Sequence, residues 1–199
     1  MLHANGQKRD DIVKKRADWK ETQKTLEIRQ LIFLDEASIN TGMTRLYGWG
    51  QKSDRVVEYV PDVRFERTSV ISTVRLSGVN ASATFEGSLN GDLFRLYVKY
   101  VLAPCLDVGD VLLLDNLSVH KGDGVFDPVF ERGAFVWFLP AYSADLNPIE
   151  LVWSKVKSVL RKLKARTVEE LRVALGVALS VVTLGDIENW FRHDGYKTM

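Results

Sequence analysis

Three carboxylates in this sequence stand where charged side chains are uncommon, directly beside apolar or amphipathic segments. Asp35 follows the apolar run 31–34, Asp115 follows the run 111–114, and Glu150 opens an amphipathic stretch. A charged group at the end of a core element is costly unless something pairs with it. Three carboxylates without a histidine or cysteine cluster form an all-oxygen donor set, which suits Mg²⁺ or Mn²⁺ better than Zn²⁺. We therefore predict that they bind divalent metal ions together.

Such a site predicts phosphodiester chemistry. Two ions about 3.5–4 Å apart can activate a nucleophilic oxygen on one side of a phosphate and stabilise the leaving oxygen on the other. The sequence contains no P-loop, and Ser38, Ser118 and Ser143 lack a histidine and aspartate partner pattern. We therefore predict two metal ions as cofactors and no nucleophilic side chain.

The two aspartates have competing interpretations. Glu36 could take the place of Asp35, because a slip of one residue reverses the face of a strand. Asp115 could instead begin an Asx-turn at the end of its strand. We prefer Asp35 because it follows the apolar run directly.

Glu150 also has competitors. The segment Asn147-Pro148-Ile149-Glu150 has the pattern of an N-cap, a first-turn proline and a capping-box glutamate. Taken alone, this pattern favours a helix cap over a metal ligand. Asp145 is the nearest rival carboxylate, and it could equally be a turn residue.

The predicted strands and helices around these residues follow an α/β order. Apolar and β-branched runs predict strands at 30–35, 55–60, 68–76, 80–85, 111–114 and 135–138. Helical spacing, with proline and glycine as boundaries, predicts helices near 94–102, 125–132, 148–163, 171–182 and 186–191. Early strands in succession favour an antiparallel meander, whereas strand-helix-strand units are normally parallel. We therefore predict a ribonuclease-H-like mixed sheet with flanking helices and C-terminal helices.

Charge is balanced over the whole chain and clustered locally. The sequence has 27 basic and 26 acidic residues, so affinity for nucleic acid must come from clusters. One cluster lies between Leu151 and Thr167, where no acidic residue occurs; its members are Lys155, Lys157, Arg161, Lys162, Lys164 and Arg166. We predict that this helix binds the DNA backbone, although a solvated face with extended lysines is the alternative. A weaker candidate is the loop with Tyr47, Trp49, Lys52 and Arg55.

The N-terminal part differs from the rest. Residues 1–29 carry many charges of both signs and few apolar side chains, which predicts a solvated helix or connecting arm that Trp19 docks onto the body. Residues 30–199 form the predicted catalytic domain. No apolar stretch approaches a membrane span, and the N-terminus lacks the apolar core of a secretory signal. We therefore expect a soluble cytoplasmic protein without a membrane partner.

Three segments carry a resemblance to a known family. They are Phe33-Leu34-Asp35-Glu36, Leu114-Asp115-Asn116 with His120-Lys121, and residues 139–150, which read LPAYSADLNPIE. They resemble the catalytic domain of mariner-like DDE transposases of the bacterial insertion-sequence branch, in which 34 residues typically separate the last two acids, as they do between Asp115 and Glu150. The resemblance runs from about Gln30 to the C-terminus. Ala144 and Leu146 depart from the commoner proline and aromatic residue.

The resemblance implies a reaction and a set of roles. Asp35, Asp115 and Glu150 would be the metal-binding triad for nicking DNA at element ends, after which the 3′-hydroxyl attacks target DNA, usually at TA. Asn116 and His120 would shape the site, and Lys121 would contact DNA. The family implies a homodimer on paired ends, associated with the bacterial nucleoid. An inactive DNA-binding remnant and another metal-dependent nuclease of this fold, such as a ribonuclease, are the alternatives.

Family members place helix-turn-helix modules ahead of the catalytic domain. The 29 residues that precede the first predicted strand are too few for such a module with a linker. The sequence therefore leads us to expect a separate helix-turn-helix subunit, an N-terminal half joined by a frameshift, or a truncated remnant.

Overall fold

The computed structural model describes residues 5–45, 47–51, 55–57, 59–60, 65–115 and 123–197. Five strands form one mixed sheet in the order β3-β2-β1-β4-β5. The strands are β1 Leu31–Asn40, β2 Arg67–Arg75, β3 Gly78–Glu86, β4 Val111–Leu114 and β5 Phe135–Phe138. β1, β2 and β3 pair antiparallel, whereas β1 with β4 and β4 with β5 pair parallel. The predicted ribonuclease-H-like sheet with an early meander is confirmed.

Six α-helices in the described ranges surround the sheet. They are α1 Asp10–Thr22, α2 Gly91–Tyr97, α3 Asp127–Phe130, α4 Ile149–Leu163, α5 Val168–Ser180 and α6 Leu184–His193. The predicted helix 94–102 is α2 followed by a π-helical turn, Val98–Leu102. Thr167 and Glu170 form the predicted capping box of α5. No helix in these ranges is long and apolar enough to cross a membrane.

Two strand predictions were wrong. The first strand does not end at Asp35 but continues to Asn40, because every residue from Phe33 to Asn40 pairs with a residue of β2 in the antiparallel ladder. The apolar run marks only the part of β1 that is buried on both faces. The predicted strand at 55–60 is also absent from the residues described there, 55–57 and 59–60, which are exposed and lie outside the sheet.

The two faces of the sheet bury different sets of residues. Leu31, Phe33 and Leu113 pack with α4, α5 and α6 on one face. Ile32 and Leu34 face the other way and pack with α2 and its continuation. This alternation follows the two-residue period of a strand. It also decides which side of the sheet each polar residue of β1 can reach.

The charged N-terminal segment is part of the folded body. Its helix α1 is polar along most of its length, but Ile12 and Trp19 are buried. Trp19 joins the core on the α4 face and meets Trp137 of β5 edge to face at 6.4 Å. The expected docking through Trp19 is therefore present, and it brings α1 beside the chain that follows β5.

Candidate active site

Asp35 and Asp115 lie level with each other on neighbouring strands, and we call this pair the cleft floor. The parallel register aligns Leu31 with Val111, Ile32 with Leu112 and Phe33 with Leu113. Continuing the same offset two residues further aligns Asp35 with Asp115, just beyond β4. Because parallel neighbours are about 4.8 Å apart, the two carboxylates are adjacent. The sheet register therefore brings together residues that are 80 positions apart.

Both aspartates belong to the α4 face of the sheet. Asp35 shares the strand parity of Leu31 and Phe33, and Asp115 shares that of Leu113. The indole Nε1 of Trp153, on α4, donates a hydrogen bond to Asp35 Oδ2 at 3.2 Å. Glu36 falls on the opposite face with Ile32 and Leu34, so the strand parity favours Asp35 over its rival.

Glu150 reaches the same space from the start of α4. A cleft of about 420 Å³ is lined by all three predicted carboxylates and by the chain that leads into α4. Its lining residues are Asp35, Asp115, Leu139, Pro140, Ala141, Tyr142, Ser143, Ala144, Asn147 and Glu150. Asp35 and Asp115 are half-buried, whereas Glu150 is exposed at the rim. We call Pro140–Asn147 the cleft loop.

The carboxylates affect one another's ionisation. Burial, followed by the negative charges of Glu150, Glu36 and Asp115, raises the pKa of Asp35 to about 8. Partial burial also raises the pKa of Glu150; the nearby cation of Lys157 opposes this shift and Asp115 adds to it. Close carboxylates resist ionising together in this way, and a cation between them would relieve the repulsion.

The capping-box interpretation of Glu150 is wrong for this structure. Helix α4 begins at Ile149, and no side-chain cap is found among the described residues at its N-terminus. Only the backbone makes the turn, through the Glu150 amide and the carbonyl of Asn147 at 3.0 Å. Within the described chain, Asn147 Oδ1 is buried without a hydrogen-bond partner beside the cleft. The side chains of Asn147 and Glu150 are therefore not used to cap α4.

The rival carboxylate Asp145 is held away from the cleft floor. It lies in a 3₁₀ turn, Ala144–Leu146, and forms a two-point ion pair with Arg16 of α1. Burial raises the pKa of Asp145, but the hydrogen bond and charge of Arg16 outweigh it, so the net shift is downward. Sequence reasoning missed Arg16, because nothing local links a helix of the N-terminal segment to residues 129 positions away.

Two of the predicted DNA-binding cations share a helix face with Glu150. At 3.6 residues per turn, Glu150, Lys157 and Arg161 form one stripe along α4. Lys162 is exposed on the flank, and Lys164 ends the helix in the left-handed conformation at φ 54°. Lys155 points towards α6 and forms an ion pair with Asp186. DNA binding by these residues stays a prediction.

Several predicted residues lie outside the described ranges. Asn116, His120 and Lys121 do so, as does Lys52 of the aromatic loop. Tyr47 and Trp49 of that loop are almost fully exposed. Across the residues that are described, no three carboxylate, imidazole or thiol groups are arranged closely enough to hold a metal ion. The three carboxylates share a cleft, but Glu150 stands apart at its rim.

The chain is similar to solved transposase structures. It matches the Mos1 transposase paired-end complex with left transposon end at a TM-score of 0.74 and 15% identity, over 94% of this chain and 60% of that chain. The mariner Mos1 paired end complex with Mg gives a TM-score of 0.72 and 12% identity, over 98% of this chain and 63% of that chain. The catalytic domain of Mos1 mariner transposase gives a TM-score of 0.67 and 14% identity, over 100% of this chain and 98% of that chain. At these identities the likeness shows the fold.

The chain therefore spans about three fifths of the first two structures and almost all of the isolated catalytic domain. A comparison with curated proteins gave no significant match. A family profile described as DDE superfamily endonuclease matches residues 30–172, which is well over half of the 199 residues. The matched range contains all five strands, the cleft floor and α4. The chain belongs to the DDE superfamily endonuclease family.

Proposed function

We propose that this chain is the catalytic domain of a DNA transposase, which cuts phosphodiester bonds at element ends and joins the freed 3′-hydroxyl to target DNA. The observation that carries the proposal is one cleft lined by Asp35 of β1, Asp115 just after β4 and Glu150 of α4, within the range that matches the DDE family. The raised pKa of Asp35 supports it, because burial, and after it the negative charges of its neighbours, disfavour the ionised carboxylate, which a cation in the cleft would favour.

The donors present fit Mg²⁺ or Mn²⁺. All three carboxylates offer hard oxygen ligands, and the unpartnered Asn147 Oδ1 adds a further oxygen beside them. Asp35 and Asp115 would hold the metal from the floor, and the exposed Glu150 side chain would turn inward to complete the set. When bound, two such ions would activate the attacking oxygen and stabilise the leaving oxygen of a phosphodiester.

The remaining residues orient and bind. Trp153 fixes Oδ2 of Asp35 by its hydrogen bond, and the Asp35 side chain lines the cleft. Lys157 and Arg161 continue the stripe that begins at Glu150, so a phosphate backbone leaving the cleft along α4 would meet two cations. Asp35 and Glu150 must both be ionised for this role, which the cation favours by relieving their repulsion.

DNA is the proposed partner. The similar structures include the Mos1 transposase paired-end complex with left transposon end and the Mos1 strand transfer complex. We extend that function to this chain: element ends and a target, with TA as the target dinucleotide, and a homodimer as the active assembly. Divalent metal is carried over in the same way, from complexes with Mg and with Mn.

The proposal is tested by Mn²⁺-dependent nicking of supercoiled plasmid and of duplex DNA with a labelled strand. Asp35→Asn, Asp115→Asn and Glu150→Gln should each reduce nicking by at least about 100-fold, because each removes one negative charge from the metal donors. Glu36→Gln is the matched control, since it removes a neighbouring charge on the opposite face of β1. Retained nicking in a triad variant would remove that residue from the site.

Product analysis separates the alternatives. Joined products with a 3′-hydroxyl donor would support a transposase, whereas preferential cleavage of RNA–DNA hybrids would favour a ribonuclease of the same fold. Binding of DNA without Mn²⁺-dependent or Mg²⁺-dependent nicking by the unaltered chain would identify an inactive remnant.

A further inference from the structure

The cleft loop has a backbone that needs support. It joins β5 to α4, and Tyr142 within it adopts a left-handed conformation with φ 57°. A residue with a side chain pays roughly 1–2 kcal/mol in that region, so the conformation persists only where its surroundings fix it. Most residues of this loop line the cleft, Asn147 is its last residue, and Glu150 follows in the first turn of α4. What holds the loop therefore also sets the approach of Glu150 to the floor.

Arg16 of α1 supplies the main support. Its Nη1 lies 3.1 Å from the Tyr142 carbonyl, 2.8 Å from Ser143 Oγ and 2.9 Å from Asp145 Oδ1, and its Nη2 lies 2.6 Å from Asp145 Oδ2. The Arg16 side chain is only 14% exposed. A planar guanidinium that binds a carboxylate at two points fixes both distance and orientation, which an ammonium group does not.

Neighbouring contacts hold the same loop. Gln7 Nε2 donates to the Tyr142 carbonyl at 2.6 Å. Gly6 lies against the Tyr142 ring so closely that a Cβ there would fall 2.5 Å from Cε2. From the C-terminal side, the hydroxyl of Tyr196 donates to the Leu146 carbonyl at 2.8 Å. The loop is thus held from both ends of the chain.

We propose that Arg16 is a positioning residue for the reaction, which holds the cleft loop so that Asn147 and Glu150 are presented to Asp35 and Asp115. The inference rests on the proposed function for its catalytic consequence. The described contacts of Arg16 are to the loop, not to the three carboxylates, so Arg16 acts through the loop. It lies outside the range 30–172 that the family profile matches.

The test compares Arg16→Lys and Arg16→Ala with the control Arg9→Ala. Arg9 forms an exposed ion pair with Asp11 near the start of α1 and belongs to the same helix segment. Arg16→Lys keeps the positive charge and loses the two-point hydrogen bonding. This variant therefore still tests the inference if Arg16→Ala fails to fold. Hydrogen exchange of residues 142–147 measures the loop directly, and Mn²⁺ titrations of binding and nicking measure the site.

Arg16→Lys should speed exchange in the cleft loop by at least about tenfold more than it speeds exchange in the strands. Nicking should fall by roughly 10–100-fold, the range expected when catalytic groups are misplaced by about 1 Å. The apparent KM for Mn²⁺ should rise, and Arg9→Ala should stay within about twofold of the unaltered chain. Unchanged loop exchange in Arg16→Lys, or a uniform increase throughout the protein, would overturn the inference.

The two proposals can fail separately. If the unaltered chain binds Mn²⁺ and nicks no DNA, the proposed function fails. Loop exchange and Mn²⁺ affinity still test whether Arg16 positions the cleft loop. In that event, faster loop exchange with at least about tenfold weaker Mn²⁺ binding supports positioning. Unchanged Mn²⁺ affinity overturns it.

Discussion

The floor and the loop of the cleft are held in place by different interactions. Asp35 and Asp115 stand on strands whose register is set by backbone hydrogen bonds and by buried neighbours such as Phe33. The cleft loop is held by single side chains, chiefly Arg16 and Tyr196, that come from the two ends of the chain. Damage to the strands that carry the floor should therefore cost stability, whereas damage to the loop supports should cost alignment of the site.

The largest expected effect is on the core beneath the cleft floor. Phe33 of β1 is fully buried, and its ring centroid lies 5.3 Å from that of Phe191 and 5.0 Å from that of Tyr196. Phe33→Ala should lower the free energy of unfolding by about 3–5 kcal/mol, because it leaves a cavity and removes ring contacts. Urea unfolding followed by circular dichroism measures this loss.

Arg16→Lys provides the matching measurement for the loop. Its cost in the same unfolding assay should be about 1 kcal/mol, since the charge remains and only part of the hydrogen bonding is lost. Equal destabilisation by Phe33→Ala and Arg16→Lys would break the distinction between floor and loop. It would mean that the loop supports are as much a part of the folding core as β1.

This difference also explains what the sequence could predict. The floor depends on local patterns: β5 was predicted at 135–138 with its observed bounds, β4 at 111–114 likewise, and Asp115 follows β4 as expected. The length of β1 was missed, because its second half is set by pairing with β2 and its own sequence is no longer uniformly apolar. The uniformly apolar pattern of β1 stops after Leu34, where the strand is no longer buried on both faces.

The loop could not be predicted in the same way. Asn147 and Glu150 have the residue types of a helix cap, and local propensity favours that role. Tertiary contacts override it, because Arg16 and Tyr196 fix the backbone just before α4. A contact between residues 16 and 145 leaves no periodic signal in either segment. The sequence of residues 1–29 predicts a solvated arm because its many charges are visible locally, whereas the contacts that hold α1 against the cleft loop are not.

A medium-sized effect concerns pH in the metal-free chain. The folded pKa of Asp35 is raised to about 8 from an unfolded value near 3.8, so between these values the folded carboxyl keeps a proton that the unfolded one has lost. Stability gained from that proton is present at low pH and is lost as pH rises through about 8. Burial also raises the pKa of Asp194, to about 6, although the hydrogen bond of His193 opposes the shift. The contribution of Asp194 to stability has the same sign, but it is lost at lower pH than that of Asp35.

Metal-free stability should therefore fall by on the order of 1–2 kcal/mol between pH 6 and 8, and Asp35→Asn should remove most of this slope. Urea midpoints measured with chelator at three pH values test it. Asp194→Asn is the control, since it should alter the slope only below about pH 6. Added Mn²⁺ should stabilise the unaltered chain more at pH 8 than at pH 6 and should have little effect on Asp35→Asn. A slope unchanged by Asp35→Asn would show that Asp35 is not the group whose raised pKa makes stability depend on pH.

The smallest effect extends the comparison from the cleft to its surface. Lys157 and Arg161 share the stripe of Glu150, so their contribution depends on the same placement of α4 that the cleft loop supports. Lys157→Gln and Arg161→Gln should each weaken DNA binding by a few-fold and reduce the slope of log affinity against log salt by about 1. Lys24→Gln is the control, because Lys24 pairs with Glu21 on the exposed side of α1. Fluorescence anisotropy with duplex DNA at several salt concentrations gives both the affinity and the salt slope.

If Lys24→Gln changes the slope as much as Lys157→Gln does, DNA binds the chain through its general positive charge and not along α4. If only the α4 variants change it and Arg16→Lys leaves it unchanged, the loop positions Glu150 without positioning the DNA.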